Sequence, residues 1–236
     1  MTDLDFASIL RQGENDCASD CFKISEAGHC TCFVVSDGRE TPGGAQLCVE
    51  SIITDFEDSG AITKSSIPDF LKNAHQKLSS AELMPKASAA VLLTDGDAAV
   101  WGNIGDCRIY QLRDNLLYEI TPDNSEAYAL YEAGKIRYPK IRKNALRHRL
   151  TKQLGSECGP DENFSQPQKL RPGDSMLICT DGFWGSIHER QIEKTLKKST
   201  SAQNWLDNML KIVEKNIKHQ KYSRFRDSFC AITIKL

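Results

Sequence analysis

SAAVLLTDGDAAVWGNIG, residues Ser88–Gly105, places two apolar runs on either side of an Asp-Gly pair. That arrangement is the strongest short-range signal for a β-hairpin, so the sheet around it is expected to be antiparallel. Working outward, Arg108–Leu112 continues as a strand and NLLYEIT, Asn115–Thr121, is expected to pair with it. Upstream, Cys30–Ser36 is a buried strand that ends at Asp37, within CFVVSDGRETPGG, Cys32–Gly44. Downstream, MLICTDGFWGS, Met176–Ser186, repeats the pattern of an apolar strand, an Asp and a Gly. Phe229–Ile234 is the last strand. Helical patterns run from the PGGAQ turn to about Phe56, through SSIPDFLKNAHQKLSSAEL with Ser65 or Ser66 as cap, and over Ile187–Leu196 and Ala202–Ile217. Many strands with helices grouped in pairs between them predict an α+β fold with antiparallel sheets. Asp123–Leu154 is polar and basic, and is expected to form two helical pieces broken at RYP, a mobile insertion over a surface.

Composition narrows the function classes. The chain has 236 residues and a formal net charge of -2. A chain of that length can bury roughly 70% of its unfolded surface and needs no covalent staples. Basic residues concentrate between Lys135 and Lys152, but no long basic run exists, so nucleic acid is not expected as a main partner. The apolar stretches are too short to span a bilayer. The nine cysteines are odd in number, several lie in apolar runs, and the start MTDLDFASIL lacks a basic leader. A reducing, cytoplasmic setting follows as the expectation. The reading sets the thiols of Cys30 and Cys32 on opposite faces of their strand, and so expects no structural zinc from Cys17, Cys21, Cys30 and Cys32.

The chemistry-bearing residues are carboxylates at element ends: Asp16, Asp37, Asp106, Asp181 and Asp227. Converging carboxylates repel one another and are costly to desolvate unless a cation neutralises them. An all-oxygen set favours Mg or Mn over Zn. With five histidines and no His-x-x-x-His pair, a zinc-protease type of site is not expected. Asp95-Gly96 is read as turn chemistry alone. Asp37 and Asp181 differ, because each ends an apolar strand and does not join two adjacent ones. Trp101 and Trp184 are read as core, and Thr180 as a support for its strand end.

Eight blocks in order then resemble the metal-dependent serine/threonine protein phosphatases of the type 2C, or PPM, family: RQGENDC, VVSDGRETPGG, KASAAVLL, NIGDCRIYQL, ITPDNS, RLTKQLG, PGDSMLICTDGFW and RDSFCAITIKL. The resemblance covers nearly the whole chain and is closest to short bacterial members. It implies a four-layer α-β-β-α sandwich over 1–236 as one catalytic domain, with a flap near 124–150. It implies two Mn2+ or Mg2+ ions and hydrolysis of phosphoserine and phosphothreonine in proteins by a metal-bridged water. Asp37 would bridge the ions and the Gly38 carbonyl would bind one of them. Asp181 and Asp227 would hold the first ion, and Arg11 would grip the phosphate. Asn15 stands where the family commonly has a carboxylate or Gln, so the second ion would be held there through water or by Glu14, with Asp16 behind. Asp106 corresponds to a weak third site, whose further Asp is replaced by Gly185. Ser228 follows the last Asp in place of Asn, and Arg39-Glu40-Thr41-Pro42 is inserted beside the presumed metals. These departures also fit a catalytically weak relative that binds phosphopeptides or partners.

Overall fold

The computed structural model describes residues 4–13, 20–39, 41–59, 66–159, 164–219 and 227–236. Glu14, Asn15, Asp16, Cys17, Glu40 and Ser65 therefore lie outside the described residues. The elements in chain order are β1 (Asp5–Arg11), β2 (Asp20–Ala27), β3 (Cys30–Arg39), α1 (Gly44–Ser59), α2 (Ser66–Ser80), β4 (Lys86–Thr94), β5 (Ala98–Ile104), β6 (Arg108–Arg113) and β7 (Leu116–Ile120). There follow α3 (Glu126–Glu132), α4 (Tyr138–Ile141), a 3-10 turn over Ala145–His148, β8 (Gln168–Lys169), β9 (Ser175–Cys179), α5 (Asp181–Trp184), α6 (Glu189–Leu196), α7 (Ala202–His219) and β10 (Phe229–Lys235).

The strands form two antiparallel sheets, β1-β10-β9-β6-β7 and β2-β3-β4-β5-β8. The hairpin at the centre is as the Asp-Gly pair requires. Asp95 Oδ1 accepts from the backbone N–H groups of Asp97 and Ala98 at 3.0 and 2.8 Å, and Gly96 takes φ +90°. Strand alternation then sorts each buried strand between two apolar layers. On β3, Phe33 and Val35 meet Ala90, Leu92 and Trp101 of their own sheet and Ile109, Ile178 and Ile232 of the other. Cys32 and Val34 face away from that layer, into α1 and α2. A strand covered on both faces has no polar face to show, which is why β3, β4 and β9 read as continuous apolar runs.

Helices close the two outer faces. On α1, Cys48, Val49, Ile52, Ile53 and Phe56 recur at helical spacing and pack on the β3–β4 sheet with Ile67, Phe70, Leu71 and Ala74 of α2. On the opposite outer face, Trp205, Leu206, Met209 and Val213 of α7 join Ile192 and Leu196 of α6 and Phe183 and Trp184 of α5. The result is the expected α-β-β-α sandwich of four layers.

Three expectations are corrected. Residues two apart on a strand share a face, so Cys30 and Cys32 both pack on the helix side of β3. Pro139 does not break a helix; it sits in the first turn of α4, where a missing N–H costs nothing. The basic insertion thus forms α3, α4 and a separate 3-10 turn, in place of two pieces. The edge strands β1 and β2 lie where no strand was expected, since their pattern of half-buried residues carries weak periodicity.

Candidate active site

The antiparallel sheets bring six element ends to one end of the sandwich: the ends of β1, β3, β5 and β9 and the starts of β2 and β10. β3 runs past the expected end at Asp37 to Arg39, and Asp37 pairs in register with Asp20 of β2 on one side and Ser88 of β4 on the other. Asp106 sits in the β5–β6 turn. Its neighbour Gly105 takes φ +84°, and a Cβ there would fall 2.1 Å from the Ser88 hydroxyl that donates to Asp106 Oδ1 at 3.0 Å. Only glycine lets that turn come so close to β4. The Asp106 carboxylate is taken by side chains, Ser88 and Arg39.

Asp181 opens α5 directly after β9, with Thr180 as its N-cap residue. Thr180 does support the strand end as expected: its hydroxyl donates to Asp20 Oδ2 and accepts from the Cys230 N–H at 3.0 Å. The Ser228 hydroxyl donates to Asp20 Oδ1 at 2.7 Å, so Asp20 ties β2 to both β9 and β10. Asp227 precedes β10 at the rim, where the residue keeps solvent contact although its carboxyl is partly desolvated beside the cluster. Arg11 ends β1 opposite Phe229, and with Asp227, Gln12 and Lys218 it lines a depression of about 290 Å³.

Crowding of like charges governs the electrostatics. Burial first, and then Asp181, raises the Asp106 carboxyl to about 7. Burial followed by Asp181 and Asp20 raises Asp227 to about 7. Asp20 is pushed up to about 6, by burial and Asp181 against the hydrogen bonds of Thr180 and Ser228. Asp37 lies well above the ordinary carboxylate range, through burial and then Asp181, Asp20 and Asp106. Two arginines offset part of this charge. Arg39 Nη2 reaches Asp106 Oδ2 at 3.1 Å and its Nε lies 3.7 Å from Asp37 Oδ2. Arg147 Nη1 reaches Asp181 Oδ2 at 3.4 Å, and His148 Nδ1 lies 3.7 Å from the same oxygen. Burial and Arg147 hold the His148 imidazole below its ordinary range, so it is neutral near pH 7.

The donor set fits a hard divalent cation: it is all oxygen, mutually repelling and held on strand ends. Among the described residues no three of these groups converge on a single point, and guanidinium groups of Arg39 and Arg147 supply the local positive charge. Asp20, Arg147 and His148 were missed by the sequence reading. Asp20 belongs to no apolar strand end, and the two flap residues reach the site only because the insertion folds back over it. Arg108, which opens β6, pairs with Asp123 at 2.6 Å. Trp101 and Trp184 are buried as expected, and Trp184 also donates to the Asp106 carbonyl at 2.8 Å. His75 accepts from Gly155 N–H far from the carboxylates.

Two outcomes follow for the stability of this end. Gly182, after Asp181, has no room for a side chain: a Cβ would come 2.2 Å from the Ser228 carbonyl. Gly182→Ala is expected to cost about 1–3 kcal/mol in urea unfolding, because β10 must shift; an unchanged midpoint would show that this contact is loose. The pH dependence has a definite sign. Asp20, Asp106 and Asp227 hold protons more tightly folded than unfolded, so their contribution is full below about pH 4 and is lost as pH rises through about 6 to 7. Metal-stripped protein is therefore expected to melt lower at pH 8 than at pH 5.5, and a higher melting temperature at pH 8 would contradict the crowding.

Comparison with known proteins puts this geometry in context. No model of a known protein family matches the chain. It is 30% identical over 109 residues to the serine/threonine phosphatase stp of Listeria welshimeri, covering 46% of this chain and 42% of that protein. It is 30% identical over 96 residues to the phosphatase PstP of Mycobacterium tuberculosis, covering 40% of this chain and 18% of that protein. The matches thus span less than half the length of these relatives. The fold is similar to that of serine/threonine phosphatase Stp1 from Staphylococcus aureus, with a TM-score of 0.84 and 18% identity over 100% of this chain and 96% of that one. It is also similar to a PPM Ser-Thr phosphatase, MsPP from Mycobacterium smegmatis, at TM-score 0.77 and 20% identity over 98% and 97%. The PstP catalytic domain in complex with two manganese ions aligns at TM-score 0.75 and 16% identity over 98% and 97%.

Proposed function

We propose that this chain, which has the fold of the PPM serine/threonine phosphatases and is similar in sequence to bacterial ones, hydrolyses phosphoserine and phosphothreonine in proteins with two Mn2+ or Mg2+ ions. The observation that carries the reading is the crowding of Asp20, Asp37, Asp106, Asp181 and Asp227 at one end of the sheets, with four of them raised above the ordinary carboxylate range. Such a site is stable at neutral pH only with added positive charge. Residues 1–236 are taken as one catalytic unit whose flap, near 124–150, borders the site, and the setting is taken as cytoplasmic. Among the described residues no helix is long and apolar enough to cross a membrane.

In this reading Asp37, the Gly38 carbonyl, Asp181 and Asp227 would hold the ions. The second ion would be approached by Asn15 through water, or by Glu14, with Asp16 behind. Bound divalent ions would neutralise the phosphate and lower the pKa of water to supply the nucleophile. The protein's own groups do the positioning. Arg11 offers planar paired donors to the phosphate oxygens from the rim beside Asp227. Arg147 lies over the Trp184 ring, 5.1 Å from its centroid, and adds a second cation on the flap side. Thr180 and Ser228 fix Asp20, which keeps the ends of β9 and β10 in place behind the ligands. A weak, phosphopeptide-binding relative is the second reading, and the Arg39 pairs with Asp37 and Asp106 favour it, since they occupy part of the ligand set.

The test is hydrolysis of a phosphothreonine peptide by metal-stripped protein titrated with MnCl2 and MgCl2. Turnover that requires metal is the expected result. Arg11→Ala is expected to raise KM about tenfold with a smaller change in kcat, in keeping with loss of one charge-assisted contact. Absence of turnover at saturating metal, with the phosphopeptide still bound, would select the second reading.

A further inference from the structure

The Arg39 side chain joins three separate parts of this site. It lies two residues beyond Asp37 on β3, so strand alternation sends both side chains to the same face. Its Nη2 donates to Asp106 Oδ2 at 3.1 Å. Its Nη1 donates to the carbonyl of His148, on the flap, at 3.0 Å. Its Nε is buried without a hydrogen-bond partner and points to Asp37, 3.7 Å from Oδ2. The other oxygen of Asp106 accepts from Ser88, so both carboxylate oxygens are engaged by protein donors. Asp106 itself is 1% exposed, with little room to turn away from them.

We propose that Arg39 is a tethered cation that takes the place of a metal ion at Asp106. A guanidinium does not deprotonate in a protein, so it cannot leave by losing its charge. Anchored at both ends, by Asp106 and by the His148 carbonyl, it repels a divalent ion that would settle on Asp106. Asp106 is thereby kept out of the ligand set, and the number of ions the site takes is set by a residue of this chain. The same bonds latch the flap to the end of β3, so Arg39 links metal stoichiometry to flap position. The inference rests on the metal-dependent reading of the site above.

Mn2+ binding, followed by isothermal calorimetry and by electron paramagnetic resonance of the free ion, tests it without reference to activity. Wild-type protein is expected to saturate at two ions. Arg39→Gln is expected to take up one more, and Arg39→Gln/Asp106→Asn to return to two. Asp106→Asn alone is expected to keep two ions with affinities within about twofold of wild type, which keeps the idea testable should Arg39→Gln fold poorly. If Arg39→Gln also stops at two, or the double variant keeps three, Arg39 does not guard Asp106, while the metal-dependent reading stands. Loss of an ion in Asp106→Asn would make Asp106 a ligand and overturn the proposal in the same way. If neither wild type nor Arg39→Gln binds Mn2+, the metal-dependent reading falls together with it.

Discussion

Asp37→Asn is expected to lower metal-dependent hydrolysis of a phosphothreonine peptide on the order of 10³-fold, ~4 kcal/mol of transition-state stabilisation. Asp37 is crowded by three carboxylates, with Asp181, Asp20 and Asp106 all raising its pKa after burial. That crowding makes the charge a cost to the metal-free fold and an asset only when cations are bound. The substitution keeps shape and removes charge, so the metal-stripped variant should melt at or above the wild-type temperature at pH 8, as a site built for function at the expense of stability would. Loss of turnover with unchanged or raised stability separates a functional role from a structural one. Turnover like that of wild type would remove Asp37 from the reaction.

Asp123→Ala carries the largest expected effect on stability, about 3–5 kcal/mol, because it strands a buried guanidinium. Arg108 donates from Nε and Nη2 to the two oxygens of Asp123, both at 2.6 Å, and its side chain is 2% exposed. The planar group also stacks on Trp184 at 3.5 Å from the ring centroid and donates to the hydroxyls of Tyr110 and Tyr138 at 3.1 and 3.2 Å. Tyr138 opens α4, so the pair holds the flap as well as the core. For a domain of this size the loss corresponds to a fall in Tm of roughly 10 °C. Arg108→Met/Asp123→Leu should be far milder than Asp123→Ala, since it removes both charges and fills the space. Urea unfolding of the three variants reads the difference. A double variant as unstable as Asp123→Ala would mean that packing and hydrogen bonds of Arg108 matter more than its charge.

The sequence alone settled the antiparallel α+β class and the placing of its carboxylates at element ends, because both are written in local patterns; the four-layer arrangement was implied by the resemblance of its ordered blocks. The Asp95-Gly96 hairpin, the apolar runs of β3, β4 and β9, and the helical spacing of Cys48 to Phe56 each depend on residues a few positions apart. Asp37 and Asp181 stood out because each follows an apolar run and does not join two adjacent strands. Tertiary structure decided what lies across the gap between elements. Asp20 enters the cluster through hydrogen bonds with Thr180, 160 residues away, and with Ser228, 208 residues away, and no local pattern encodes such a meeting. Arg39 was legible as an insertion beside the site, but its hold on Asp106 and on the flap carbonyl required the β5–β6 turn and the 3-10 turn to be in place. Arg147 and His148 read only as part of a basic insertion until it folded onto Asp181. Periodicity fixes which face of an element is buried; which charges then confront one another is fixed by how two sheets and a flap pack, and that is a property of the whole chain.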